Sequence, residues 1–287
     1  MRVNKMDNRI GLVDLTKSFK NFKLNQLSFE VPKGYVTGFI GRNGSGKTTA
    51  IRSMLSLIHF EGQILENGQP ISQNYDYLQN VGIVMDEPLL GQDWDMQLVN
   101  QVMSLGYQQW DMDKYYNYLK QFDIHENLKV KELSKGMKIK LMLAIALSHN
   151  ADILILDEPT SGLDPQMRDE FVTLIQDFMS EENHTVLFST HITQDLEMIA
   201  DYIVYIDQGQ LLKACSKDDF VEQYRVLVGS SGDIERINGE AILGRKDSLV
   251  NTEVLIESEW LEQMDASLFD VQIPSIDRVM MLYGRIK

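Results

Sequence analysis

The stretch Gly41-Arg42-Asn43-Gly44-Ser45-Gly46-Lys47-Thr48-Thr49 carries the clearest chemistry in this chain. It fits the spacing Gly, four residues, Gly-Lys-Thr, which wraps backbone around phosphate. Glycine lets the chain approach an anion closely, successive N–H groups converge on it, and a helix N-terminus favours negative charge. Lys47 is the expected cation for the outer phosphates, and the Thr48 hydroxyl the expected ligand for Mg²⁺. Gly41, Asn43, Gly44, Ser45, Gly46 and Thr49 complete the expected nucleotide-binding loop. An apolar run, Val36 to Ile40, precedes it, and Ala50, Ile51, Met54, Leu55 and Ile58 follow at helical spacing. A strand, a glycine turn and a helix are therefore predicted here.

A second set of groups lies downstream. Ile153-Leu154-Ile155-Leu156 is continuously apolar, as a strand buried on both faces must be, and it ends in Asp157-Glu158. Open α/β sheets place ligands at that end of a strand. Asp157 is expected to hold Mg²⁺ through its water shell, and Glu158 to orient and polarise an attacking water. Another strand-like run, Thr185 to Thr190, ends at His191, placed to meet a γ-phosphate or that water. His59, His125, His149 and His184 have no such context and are read as structural or solvent-exposed.

Composition narrows the classes. The chain has 287 residues, 44% hydrophobic, enough for a large core in one or two domains. Its net charge of −15 argues against a duplex nucleic-acid binder. The single cysteine, Cys215, excludes an intrachain disulfide framework. No apolar run approaches the roughly 18 residues of a membrane-spanning helix, and the N-terminus lacks the apolar stretch of a secretory signal. A protein soluble on its own, without repeats or low-complexity linkers, is expected.

Leu133-Ser134-Lys135-Gly136-Met137 precedes a long helical run reaching about His149. With the phosphate loop, Asp157-Glu158-Pro159-Thr160, Ser161-Gly162-Leu163-Asp164 and His191, its order and spacing resemble the ATP-binding-cassette (ABC) ATPases over about residues 8–215. GTPases, kinases and helicases share the phosphate loop but not the Leu-Ser-x-Gly helix. The resemblance implies ATP and Mg²⁺ held between two cassettes, identical or different, arranged head to tail. Ser134 and Gly136 of one cassette would cap the γ-phosphate held by the other, Asp164 would lie at the interface, and His191 would brace the phosphate against Glu158. An aromatic residue usually stacks on adenine; Leu15-Thr16-Lys17-Ser18-Phe19 nominates Phe19, with Phe22 as competitor.

Two segments depart from the pattern. The family signature is Leu-Ser-Gly-Gly-Gln, but Lys135 and Met137 stand at its third and fifth positions, with Lys135 expected to face solvent. Asp86, in Val84-Met85-Asp86-Glu87-Pro88, falls where glutamine is usual. A carboxylate still binds Mg²⁺ but donates no hydrogen bond, so Asp86 is expected to meet the metal directly or through water. Both departures resemble Gram-positive ABC-2-type exporter ATPases, including those for bacitracin-like and phenol-soluble-modulin peptides.

The fold expected is α/β: a P-loop NTPase cassette over residues 1–215 and a small accessory or dimerisation region over 216–287. An antiparallel β-subdomain takes about 8–35, a RecA-like core about 36–85 and 150–215, and a helical subdomain about 87–150. In that insert, Leu98, Val102 and Leu105, then Tyr115, Tyr118, Leu119 and Phe122, recur at helical spacing, with Trp94 and Trp110 among them. Beyond Val226, Gly229 to Gly232 reads as a turn, Ser248–Val250 and Glu253–Ile256 as strands, and Pro274-Ser275-Ile276-Asp277 as a helix start. The function implied is an ATPase that powers a separate integral membrane subunit, exporting amphipathic or antimicrobial peptides from the cytoplasmic face of the membrane. The rival is a soluble ABC ATPase with soluble partners, as in iron–sulfur cluster assembly.

Overall fold

The computed structural model describes residues 7–71 and 76–285. The chain forms two compact units. One runs through Ile192 and takes up Val204–Ala214; the other combines Thr193–Ile203 with the chain from Cys215.

The first unit opens with β1 (Asn8–Ser18) and β2 (Lys23–Pro32), antiparallel, pairing Leu12 with Phe29 and Leu15 with Leu27. Next comes β3 (Val36–Ile40), buried along its whole length, then the glycine turn and α1 (Lys47–Met54). β4 (Glu61–Glu66) and β5 (Gln69–Pro70) return to the antiparallel sheet, ordered β2-β1-β4-β5. Residues 61–70, read from sequence as part of the core, thus belong to the antiparallel sheet. Gly62, at φ +100°, makes this possible: a Cβ there would stand 2.6 Å from the carbonyl oxygens of Val13 and Asp14. Ile64, opposite Leu12, then turns into the core.

β6 (Val81–Val84) leads into α2 (Met96–Gly106), α3 (Met112–Gln121) and α4 (Lys135–Ser148), all inside the stretch read as helical. Asp95, Asp111 and Ser134 cap their N-termini, each accepting a backbone N–H from three residues on. Leu98, Val102 and Leu105 lie on α2 as their spacing predicts, but Leu98 and Leu105 are exposed, while Met96 and Val99 are buried. Trp110 donates to Asn100 Oδ1 at 2.9 Å, and Trp94 packs on Gly91.

β7 (Ile153–Asp157), wholly buried, is followed by α5 (Pro165–Met179), which starts on a proline whose missing N–H costs nothing there. After β8 (Thr185–Thr190), the chain continues through α6 (Thr193–Ile199) to β9 (Tyr202–Asp207) and β10 (Gln210–Ser216). The main sheet is ordered β10-β9-β3-β8-β7-β6, with β3, β8, β7 and β6 parallel neighbours. One apolar core joins both sheets through Leu12, Leu24, Phe39, Ile51, Ile155 and Leu187. The parallel strands bring their C-terminal ends to one side, and the chemistry-bearing residues all follow those ends.

The second unit contains α6, α7 (Lys217–Glu222), β11 (Tyr224–Gly229), α8 (Ser231–Ile234), β12 (Ile242–Asp247), β13 (Thr252–Glu257), β14 (Asp270–Gln272) and α9 (Ile276–Leu282). Its strands form an antiparallel sheet ordered β12-β13-β11-β14. Leu227, Ile234, Val254 and Ile256 form its core. Ser275 caps α9 by accepting the Arg278 N–H at 3.2 Å, in line with the expected helix start. Gly229 to Gly232 is not a simple turn, because Ser230 caps α8. Ser248–Val250 is not a strand: Ser248 bonds Asn251 across a hairpin turn, leaving Leu249 and Val250 exposed. The runs are apolar, but the Ser-Asn hydrogen bonds win locally.

Candidate functional site

The phosphate loop joins the end of β3 to α1. Gly44 (φ +81°) and Gly46 (φ +112°) adopt left-handed backbone. Gly46 has no alternative, since a Cβ would lie 2.6 Å from Leu24 and 2.8 Å from Phe22. At Gly41 a Cβ would collide with the Ile206 carbonyl. Lys47 is buried, with 6% of its surface exposed. Its Nζ donates to the Gly41 carbonyl at 2.8 Å and stands 3.3 Å from Glu158 Oε1.

Asp157 ends β7, 4% exposed, opposite Ser189 of β8. Its Oδ1 accepts the Ser189 hydroxyl at 3.1 Å, and Thr48 also hydrogen-bonds to it. Burial pushes the carboxyl above its ordinary range, against the hydrogen bonds from Thr48 and Ser189 that favour the anion. Glu158 follows at φ +53°, a conformation that is costly for a residue with a Cβ and typical of functional sites. Its backbone N–H donates to the Ser189 carbonyl at 2.9 Å. Its Oε2 is 2.6 Å from His191 Nδ1 and accepts the His191 backbone N–H at 3.2 Å. A carboxylate only accepts, so Nδ1 carries the shared proton. Glu158 thus bridges Lys47 on one side and His191 on the other.

These groups line one cleft of about 1000 Å³, together with Asn43, Gly44, Ser45, Gly46, Thr48, Thr49 and Asp86. Gly41 is behind the lining and acts through its carbonyl on Lys47. Phe22 lines the cleft, whereas Phe19 does not; it is 50% exposed, with its ring centre 6.5 Å from that of Phe22. Ser134, Gly136 and Asp164 lie outside the cleft. Ser134 caps α4, and Asp164 caps α5 by accepting the Met167 N–H at 3.0 Å. Gly136 packs so closely on Met167 that a Cβ would overlap its Cε.

Lys135 does not simply face solvent. Its ammonium is ion-paired with Asp86, and both line the cleft. Sequence reasoning also missed Asn21, Arg52 and Ser189. Arg52 had a signal, one helical turn beyond Thr48 and Thr49. Ser189 had none, because only the β7–β8 register places it beside Asp157.

The donor set suits Mg²⁺. Among the described residues no group of three or more His, Cys, Asp or Glu side chains forms a metal cage. Mg²⁺ at nucleotide sites generally takes one or two protein oxygens plus substrate phosphates, and Thr48 and Asp157, which line the cleft beside the phosphate loop, would offer those.

Comparison with known proteins agrees with this geometry. The family model described as ABC transporter matches residues 24–161. The bacitracin transport ATP-binding protein BcrA of Bacillus licheniformis is 34% identical over 77% of this chain and 74% of its own length. The lantibiotic transport ATP-binding protein SrtF of Streptococcus pyogenes is 34% identical over 71% of this chain and 89% of its own. A solved ATP-binding subunit of an ABC transporter superposes with a TM-score of 0.67 at 24% identity, covering 75% of this chain and 92% of that one.

Proposed function

Because this chain belongs to the ABC transporter family of ATP-binding proteins, we propose that it is the motor of a peptide exporter whose membrane path is a separate chain. ATP hydrolysis coupled to transport is the family's activity. The observation that carries the reading is the Lys47–Glu158–His191 chain of contacts beside Asp157 at the foot of the phosphate loop. Lys47 neutralises the outer phosphates, while Thr48 and Asp157 would hold Mg²⁺, which would supply further charge neutralisation there. Glu158 orients and polarises the attacking water. His191 braces Glu158 and the terminal phosphate. The adenine contact goes to Phe22, which lines the cleft, in preference to Phe19.

Ser134, Gly136 and Asp164 lie outside the cleft of their own chain, which fits a role across a dimer, capping the phosphate of a second cassette. Among the described residues no helix is long and apolar enough to cross a membrane. BcrA and SrtF are named as ATP-binding proteins of transport systems, which supports a transport path supplied by a separate chain. Leu98 and Leu105, exposed and seven residues apart on α2, fall on one face of that helix, which supports docking of that chain there, on the cytoplasmic side of the membrane. The names of BcrA and SrtF support amphipathic or antimicrobial peptides as cargo.

The test is co-purification. A tagged Glu158→Gln variant, expressed with its native membranes and extracted in mild detergent with Mg·ATP, is expected to bring down a multi-span membrane protein in stoichiometric amount. Recovery of soluble assembly proteins alone would overturn the exporter reading.

A further inference from the structure

Two of the three positions that break the expected pattern meet in space. Asp86 follows β6, Lys135 opens α4, and their side chains form an ion pair at the cleft wall. Lys135 also stands within 3.7 Å of the position a Cβ would take at Gly162, beyond Glu158 on the loop after β7. A lysine in the first turn of a helix is disfavoured by the helix dipole, so α4 does not ask for a cation there. The cleft explains it. Its walls carry Asp86, Glu87, Asp157 and Glu158 against Lys47, Arg52 and Lys135. A triphosphate entering this space meets an excess of carboxylates. Asp86 is the more exposed partner, 64% against 39% for Lys135, so solvent does not fix it away from the phosphates.

We propose that Lys135 is a positioning residue for nucleotide binding, neutralising Asp86 and holding its carboxylate off the phosphates. The proposal rests on the ATP-binding reading of the cleft and assigns Lys135 a role within it. Lys140 supplies an internal control. It pairs with Glu170 at 2.8 Å further along α4, and neither residue lines the cleft.

A double-mutant cycle read by calorimetric ATP binding in excess EDTA tests this, since no turnover or metal enters the measurement. Lys135→Gln is expected to weaken ATP binding by roughly three- to tenfold at low salt, the scale of one unneutralised charge near the phosphates. Lys135→Arg should bind as wild type does. Asp86→Gln with Lys135→Gln should return to within about twofold of wild type, because the repelling charge is gone together with its partner. Lys140→Gln should leave affinity unchanged. Thermal unfolding of each variant checks folding, and the arginine variant keeps the cycle interpretable if Lys135→Gln is unstable. An additive cycle, in which Lys135→Gln costs the same with or without Asp86, overturns the proposal while leaving the ATP site intact. A wild-type chain without affinity for ATP overturns the reading of the cleft itself, and this inference with it.

Discussion

The floor and the rim of the cleft are built differently. At the floor, Lys47 and Asp157 are almost wholly buried, and Glu158 is held by backbone, lysine and histidine together. At the rim, Asp86, Glu87, Lys135 and Lys138 meet as side-chain ion pairs between the loop after β6 and the first turns of α4. Buried groups with several partners are pre-positioned, and an electrostatic contact there gains from the low local dielectric. Exposed pairs are screened and contribute little by themselves. The difference teaches that floor residues should govern the chemical step, while rim residues tune what enters.

The sharpest test is Glu158→Gln against Lys47→Ala. Glu158→Gln removes the base but keeps the shape, so turnover should fall by about 10²–10⁴-fold with ATP still bound. Lys47→Ala should lose ATP affinity as well as turnover. Steady-state ATPase assays with equilibrium nucleotide binding separate the two. If Glu158→Gln hydrolysed ATP normally, the floor would lose its assigned base, and the contrast with the rim would collapse.

Ser189→Ala probes the floor one step back. It removes the hydroxyl that donates to Asp157 while leaving the Ser189 carbonyl to hold the Glu158 N–H. A lost hydrogen bond to a buried carboxylate is worth about 1.5–3 kcal/mol, so the Mg²⁺ needed for half-maximal turnover should rise on the order of tenfold or more. Titrating Mg²⁺ at fixed ATP reads this out, and an unchanged midpoint would show that Thr48 alone suffices to orient Asp157.

Sequence exposed the floor well and the rim poorly, for a physical reason. Lys47, Thr48, Asp157, Glu158 and His191 each sit at the end of an apolar strand or at a glycine turn, so local pattern finds them. Their convergence follows from the parallel order β3-β8-β7-β6. Ser189 and the Asp86–Lys135 pair depend on contacts across elements, and the latter spans 49 positions. The return of Glu61–Glu66 to the antiparallel sheet escaped for the same reason, because its pairing with β1 is a long-range choice enabled by Gly62. In the second unit, Ser248–Val250 looked like strand by composition, yet Ser248 and Asn251 close a turn there.

At the rim, Lys138→Gln should be nearly silent. Its pair with Glu87 is exposed on the glutamate side, and such pairs are worth about 0–1 kcal/mol. Denaturant unfolding should shift by no more than that, and a larger loss would mean that the rim is structural in the way the floor is.

The smallest effect at neutral pH concerns burial without a place in the cleft. His149 ends α4, 1% exposed, stacked on Tyr107 with ring centres 3.8 Å apart, and its Nδ1–H donates to the Ile145 carbonyl at 2.8 Å. Burial holds its pKa below the ordinary 6.5, although the bond to Ile145 pulls the other way. The unfolded chain therefore takes up a proton before the folded one does. Stability associated with the neutral ring is present above pH 6.5 and is lost as pH falls through that value toward the lower folded pKa. Unfolding midpoints measured down the acid range should decline, and His149→Phe, which keeps a ring against Tyr107 but cannot bind a proton, should flatten that part of the decline. ATP affinity at neutral pH should not change in that variant. If it did, burial alone would be enough to influence the nucleotide, and the floor would no longer be distinguished by what its buried groups touch.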